Sequence, residues 1–313
     1  TPETAKSQAI ALYQKGEYEK AISLFYTVVT NNQKDGEAFY YLGAAQLKKD
    51  DSKAAQKSFQ KAAKLLPQDV RPVNGLIYVA LQRGKLRDAR KNASKAVALN
   101  PSNGEAHYLL GVTEYQSGNG SAAIKAADRA IALEKSFAPA YLLKAQAGIS
   151  SLNEENWLSA LTPAEQKKRF TTAIETLQNF PDISANSAQA NQIRDTIEGY
   201  NAFAEYFERR EKQKDTSPVP LADNPNETKL ALLSKPRANY TEEARKSSIS
   251  GTVRVLVLFG KNGKTFPVVM KGLPYGLTEQ ALRAASQIRF EPMKKDGQPV
   301  SIVRVVEYNF NLY

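Results

Sequence analysis

The sequence predicts a multidomain molecule, an all-α superhelix followed by a small α+β domain of ββαβ order, and three observations predict it. Ala21, Ala55, Ala89 and Ala123 recur at a strict interval of 34 residues. A polar, proline-punctuated stretch then interrupts the chain at 212–236. Beyond it the apolar periodicity changes from helical to period two, beginning with Val253, Val255 and Val257. A fixed period of this length marks units that bury their apolar faces only against their neighbours.

The repeat is justified position by position. Phe25, Phe59, Ala93 and Ala127 form a second series at the same interval, and Val28, Ala62, Ala96 and Ala130 a third. Gly43, Ile77 and Gly111 form another, and Pro67 and Pro101 close successive units. Small side chains let paired helices approach closely, and a proline beyond the second helix stops it. This pattern resembles the tetratricopeptide (TPR) repeat family over residues 1–148, with units at 5–35, 36–69, 70–103 and 104–137 and the start of a fifth. The first unit has Ala5, Gln8 and Ala9 where its first helix should carry large and glycine residues, which fits an end cap.

Residues 149–214 read as a degenerate repeat and capping helices. Ala173, Ile174, Leu177 and Phe180 look like the second helix of a fifth unit, displaced by an insertion at 153–162. A further helix is expected over 188–214, because Ile193, Ile197, Tyr200, Phe203, Ala204 and Phe207 fall at steps of three and four. Residues 215–235 form a proline-containing linker with Pro218, Pro220 and Pro225, expected to hold the two parts separate rather than tightly fused.

After the linker, residues 253–258 predict a strand, Lys261-Asn262-Gly263-Lys264 a turn, and 265–271 a second strand. Thr278 is the expected N-cap of a helix whose apolar face is Ala281, Leu282, Ala285 and Ile288. A turn at 295–299 leads into a last strand over 300–312, rich in β-branched and aromatic residues. These residues look like the TonB C-terminal domain over 236–313. The resemblance is carried by Pro236-x-x-x-Tyr240-x-x-x-Ala244-Arg245, Gly251-x-Val253-x-Val255-x-Val257, Gly263, Ala281-Leu282-x-Ala284-Ala285, Arg289-Phe290-x-Pro292 and Gly297-x-Pro299-Val300. Thr241 departs from the pattern, where the family usually has proline.

The resemblance implies a non-enzymatic periplasmic protein similar to a TonB energy transducer, which captures an extended segment of an outer-membrane transporter by adding it to an exposed sheet edge. Edge strands offer unpaired N–H and C=O groups for this. The expected edge is the last strand, with Val300, Ile302, Arg304, Val306, Tyr308 and Phe310 as its partner-binding residues. Val253, Val255, Val257 and Phe290 are expected to be core instead. Family positions in the repeats give a second surface, an aromatic groove of Tyr40, Tyr41, Asn74, Tyr78, Tyr108 and Tyr115 that binds an unidentified protein or peptide. His107, the one histidine, takes a packing position.

Other functions are poorly supported. Zero cysteines exclude disulfides and thiolate metal sites, and no glycine-rich loop follows a strand and opens a helix, so no catalytic, cofactor or metal residues are assigned. Acidic pairs such as Asp50-Asp51, Glu154-Glu155 and Glu242-Glu243 sit at turns or helix starts, the ordinary place for solvated charge. Of the +11 net charge, residues 232–313 carry 13 Lys and Arg against 6 Asp and Glu, but scattered among strands and turns without a stacking platform, which disfavours nucleic acid. No stretch reaches the 18 or so apolar residues of a membrane helix, so membrane association is expected only through an anchor or signal upstream of Thr1. The alternatives are a self-assembling envelope or extracellular protein, whose sheet edge accepts a strand from another copy, and an assembly scaffold driven by the repeats alone.

Overall fold

A computed structural model describes residues 2–149, 161–215, 217, 219–222 and 230–312. Most of the expected insertion, the pair Glu154-Glu155, much of the linker and Tyr313 lie outside the described residues. The chain divides into two compact units, Thr1–Thr113 and Glu114–Tyr313.

The first unit holds α1 (Pro2–Gln14), α2 (Tyr18–Asn31), α3 (Gly36–Lys48), α4 (Ser52–Leu65), α5 (Val70–Gln82), α6 (Leu86–Leu99) and α7 (Gly104–Gln116) as far as Thr113. The 34-residue period reappears in its caps. The carboxylate of Asp35 accepts from Ala38 N–H at 2.9 Å, that of Asp69 from Arg71 N–H at 2.9 Å, and the Asn103 side chain from Ala106 N–H at 2.7 Å. Each cap satisfies a helix-start donor that would otherwise lack a partner. Ala21, Ala55 and Ala89 are fully buried. The small residues are required by one large neighbour: a Cβ on Gly43 or Gly75 would lie 2.9 or 2.5 Å from the Phe59 ring. The α3, α4 and α5 backbones therefore close around Phe59.

The second unit opens with α8 (Gly120–Leu133) and α9 (Ala138–Ile149), and continues with α10 (Pro163–Gln178) and α11 (Ala188–Lys212). Thr162 and Glu165 form a capping box at the start of α10, and Ser187 caps α11. The expected fifth-unit residues Ala173, Ile174 and Leu177 are buried on α10, with Phe180 just beyond it. Phe170 stacks on Phe203 of α11 at 4.7 Å between ring centroids. Beyond these helices lie β1 (Leu232–Ser234), α12 (Glu242–Lys246), β2 (Gly251–Phe259), β3 (Thr265–Lys271), α13 (Leu277–Ser286), β4 (Arg289–Phe290), β5 (Lys294–Lys295), β6 (Gln298–Pro299) and β7 (Ile302–Phe310). Two short pairs, β1 with β4 and β5 with β6, accompany an antiparallel sheet of order β3-β2-β7. The long elements keep the expected ββαβ order.

This sheet is buried on one face along its length and on the other towards its Phe259 end. Val253, Val255, Val257 and Phe259 of β2 pack with Val306, Tyr308 and Phe310 of β7 against Leu277, Ala281 and Ala285 of α13. The alternate residues Leu256 and Leu258, with Val268 of β3 and Val303 and Val305 of β7, join the core of α10 and α11 through Phe170, Phe203 and Phe207. Phe266 covers Gly199 of α11 so closely that a Cβ there would lie 2.3 Å from its ring. At the rim, Lys264 pairs with Asp195 at 2.9 Å, and Asn262 donates to Glu198 at 3.0 Å. The expectation of two separated parts is thus corrected. The capping helix supplies the second cover of the sheet, because half of the outward strand positions are apolar and need burial.

Two local readings also change. Helix α13 starts after Gly276, whose φ of +78° makes it the residue preceding the helix. Thr278 is instead buried within the first turn, donating to Leu273 O at 2.9 Å and accepting from Leu273 N–H at 2.8 Å. Thr241 does what a proline could not: its hydroxyl caps α12 by accepting from Ala244 N–H at 3.2 Å, and donates to Tyr275 O at 2.7 Å.

Candidate functional site

The first unit gathers aromatic and polar side chains from α3, α5 and the start of α7. Glu105 is their centre. It accepts from Tyr78 Oη at 3.1 Å and from Asn74 Nδ2 at 2.9 Å, while Asn74 Nδ2 also reaches Asn103 Oδ1 at 3.3 Å. The Arg71 guanidinium lies 4.9 Å from the Tyr40 ring centroid and is held by Asp69, with Nη2 2.6 Å from a carboxylate oxygen. Burial, with Tyr13 and Glu105 nearby, pushes the Tyr40 phenol up to about 12. Burial and Glu105 raise Tyr78 and Tyr108 as well. These phenols stay neutral and can donate hydrogen bonds at any physiological pH.

Of the six groove residues expected from sequence, Tyr40, Asn74, Tyr78 and Tyr108 share this surface. Tyr41 stacks on Phe25 at 6.0 Å and meets Tyr13 at 5.7 Å, in the packing between repeats. Tyr115 lies in the second unit and is buried. Asn74 is 2% exposed, and among the described residues its Oδ1 meets no hydrogen-bond donor. Arg71, Asn103 and Glu105 were not singled out by sequence. The 34-residue spacing of Asp69 and Asn103 was the available signal, since those caps hold Arg71 and Asn74. His107 Nε2 lies 3.0 Å from Pro101 O, consistent with a packing role.

The second candidate surface is the outer edge of β7. Strand β7 pairs with β2 throughout, from Gly251↔Phe310 to Phe259↔Ile302. On its other side Val305 N–H donates to Pro220 O and Val305 O accepts from Ala222 N–H, both at 2.9 Å, so Leu221 forms a parallel bridge with Val305. Because backbone direction alternates along a strand, the N–H and C=O groups of Val303, Val305, Glu307 and Asn309 point to this outer side. The expected residues Ile302, Arg304, Val306, Tyr308 and Phe310 are of the opposite parity, with backbone groups turned to β2. The side chains of Ile302, Val306, Tyr308 and Phe310 lie in the core beneath α13, and burial pushes the Tyr308 phenol up to about 12. Val300 precedes the strand, donating to Met293 O at 2.8 Å. Arg304 Nη1 donates to Val303 O at 2.9 Å. Arg254 pairs with Glu307 across the strands at 2.9 Å.

A helical array with a polar aromatic surface, joined to an α+β domain whose sheet has a main-chain edge, defines a protein–protein interaction protein. Among the described residues no cluster could hold a metal ion, and no helix is long and apolar enough to cross a membrane. Family models place the modules: a tetratricopeptide repeat matches residues 7–70 and 75–140, and the Gram-negative bacterial TonB protein C-terminal matches 236–312. The chain is a TPR array followed by a TonB C-terminal domain, and both modules are non-catalytic interaction domains.

Solved structures resemble it. TTC0263, a thermophilic TPR protein of Thermus thermophilus, is 20% identical, with TM-score 0.48, over 64% of this chain and 99% of that one. The pilF protein of Pseudomonas aeruginosa is 13% identical, with TM-score 0.48, over 69% and 93%. YrrB, described as a TPR protein with an unusual peptide-binding site, is 18% identical, with TM-score 0.41, over 61% and 90%. No curated protein matches the chain.

Proposed function

We propose that this protein works in the periplasm or cell envelope of a Gram-negative bacterium, where the β7 edge receives an extended segment of an outer-membrane transporter. The repeat surface around Glu105 binds a second protein partner. The observation that carries the reading is the pair of hydrogen bonds at Val305: this edge already accepts main chain from outside the three-stranded sheet. Strand addition there draws affinity from backbone groups and selectivity from alternate side chains. The repeat surface suits a peptide backbone, because the half-exposed Tyr78 phenol stays neutral and Glu105 offers a charged acceptor beside it.

The test is an amide NMR titration of the full chain with synthetic peptides from the periplasm-facing segments of transporters. Saturable shifts at Val303, Val305 and Glu307 are expected. Shifts confined to other regions would sink the reading, and line broadening that grows with protein concentration alone would point to self-association instead.

A further inference from the structure

The segment 219–222 is built like a fourth strand in miniature. Its side chains alternate across the sheet edge: Val219 is buried among the residues of α10 and α11, while Ala222 packs with the core beneath α13. Its main chain runs parallel to β7, with Pro220 O and Ala222 N–H turned inward to Val305. In a parallel ladder the next inward donor would be the N–H of residue 220, directed at Val303 O. Proline has no N–H, so position 220 gives no bond to Val303 O, and among the described residues two backbone bonds join the segment to β7. The Arg304 guanidinium bonds Val303 O in its place.

We propose that segment 219–222 is a built-in, deliberately weak occupant of the edge that receives the partner strand, so that capture proceeds by displacement. This rests on the strand-capture reading above. The partner is then an extended segment running parallel to β7, with a compact apolar residue in the position of Val219. It carries any residue but proline in the position of Pro220, whose N–H reaches Val303 O. One extra backbone bond gives such a strand its advantage over the resident one. Pro220 sets the threshold: it lets the segment cover an edge that would otherwise pair indiscriminately, yet keeps it removable.

The probe is a fluorescein-labelled peptide Pro-Val-Ala-Leu-Ala-Asp, the sequence of 218–223 with alanine at position 220, titrated by fluorescence polarisation into the full chain. Ala222→Pro removes one resident bond and Pro220→Ala adds one, and neither changes a residue of β7. Relative to the parent chain, probe affinity is expected to rise about tenfold in Ala222→Pro and fall about tenfold in Pro220→Ala, roughly one backbone bond each way. Hydrogen exchange at the Val305 amide should quicken in the first variant and slow in the second. Equal probe affinity in all three proteins, with the probe still protecting Val305, overturns the displacement mechanism and leaves strand capture standing. Failure of all three to bind the probe, while Ala222→Pro frees the Val305 amide, overturns capture as well and reduces the segment to edge protection.

Discussion

The two faces of the β3-β2-β7 sheet are made by the same strands but answer to different parts of the chain. One face, with Val253, Val255 and Val257, is closed by α13 from within the TonB C-terminal domain. The other, with Leu256, Leu258, Val303 and Val305, is closed by α11, which precedes the proline segment. The second face also changes character along its length. Towards Gly251 it is polar, with Arg254 bonded to Glu307 and Thr252 to Asn309 at 2.7 Å, and towards Phe259 it is apolar. The lesson is that a boundary drawn by family resemblance need not be a boundary of the folded core. A piece cut at residue 232 would expose Leu256, Leu258, Val268, Val303 and Val305, which the intact second unit buries.

The sharpest way to break this comparison is Phe203→Ala, which empties the centre of the α11-side core where Phe170 stacks. A loss of about 3–5 kcal/mol in urea unfolding is expected, with the amides of α13 retaining their protection longer than those of α11. Uniform loss across both faces would show that they fold as one.

Glu279, in the first turn of α13, tests the other face through pH. Although the residue as a whole is half-buried, burial of its carboxyl raises the pKa to about 7 from an ordinary 4.5. An acid whose folded pKa is raised binds its proton more tightly in the folded state. Stability should therefore be greatest below about pH 4.5, fall as pH rises through 7, and level off above. In Glu279→Gln this decline should vanish from thermal melts taken between about pH 4.5 and 8. An unchanged decline would place its origin elsewhere.

A smaller effect is expected from Gly199→Ala, because the new methyl meets the Phe266 ring while the helix gains propensity. The net loss should be roughly 1–2 kcal/mol, seen as a lowered urea midpoint, and a stabilised variant would mean that Phe266 moves aside freely. Smallest is Arg254→Ala at the polar end of that face. The pair is about two-fifths exposed on each side, so about 0.2–1 kcal/mol is expected by a double-mutant cycle with Glu307→Ala.

Much of the architecture was legible because it rests on local period. The 34-residue spacing gave the helical hairpins, and the same interval governs the caps Asp35, Asp69 and Asn103. Dense motifs such as Arg289-Phe290-x-Pro292 placed the C-terminal domain. Leu256 and Leu258 signal a second apolar face on β2, since an alternating strand with one solvated face would carry polar residues there, but not which element covers it. Which side of β7 faces outward was not legible. Side-chain parity shows which residues enter a core, whereas edge availability depends on main-chain direction and on what lies beside the strand.

By itself, the sequence determined the repeat array, the order of strands and helix in the C-terminal domain, and the absence of cysteine chemistry, because each follows from residue type and short-range spacing. Only the tertiary structure decided that α11 covers the sheet, that Glu105 joins Tyr78 and Asn74, and that Pro220 and Ala222 pair with Val305. Those contacts join residues from 27 to at least 90 positions apart. Loop closure over such distances is favourable only when burial on both sides offsets the ordering of the chain, and no local pattern records that balance.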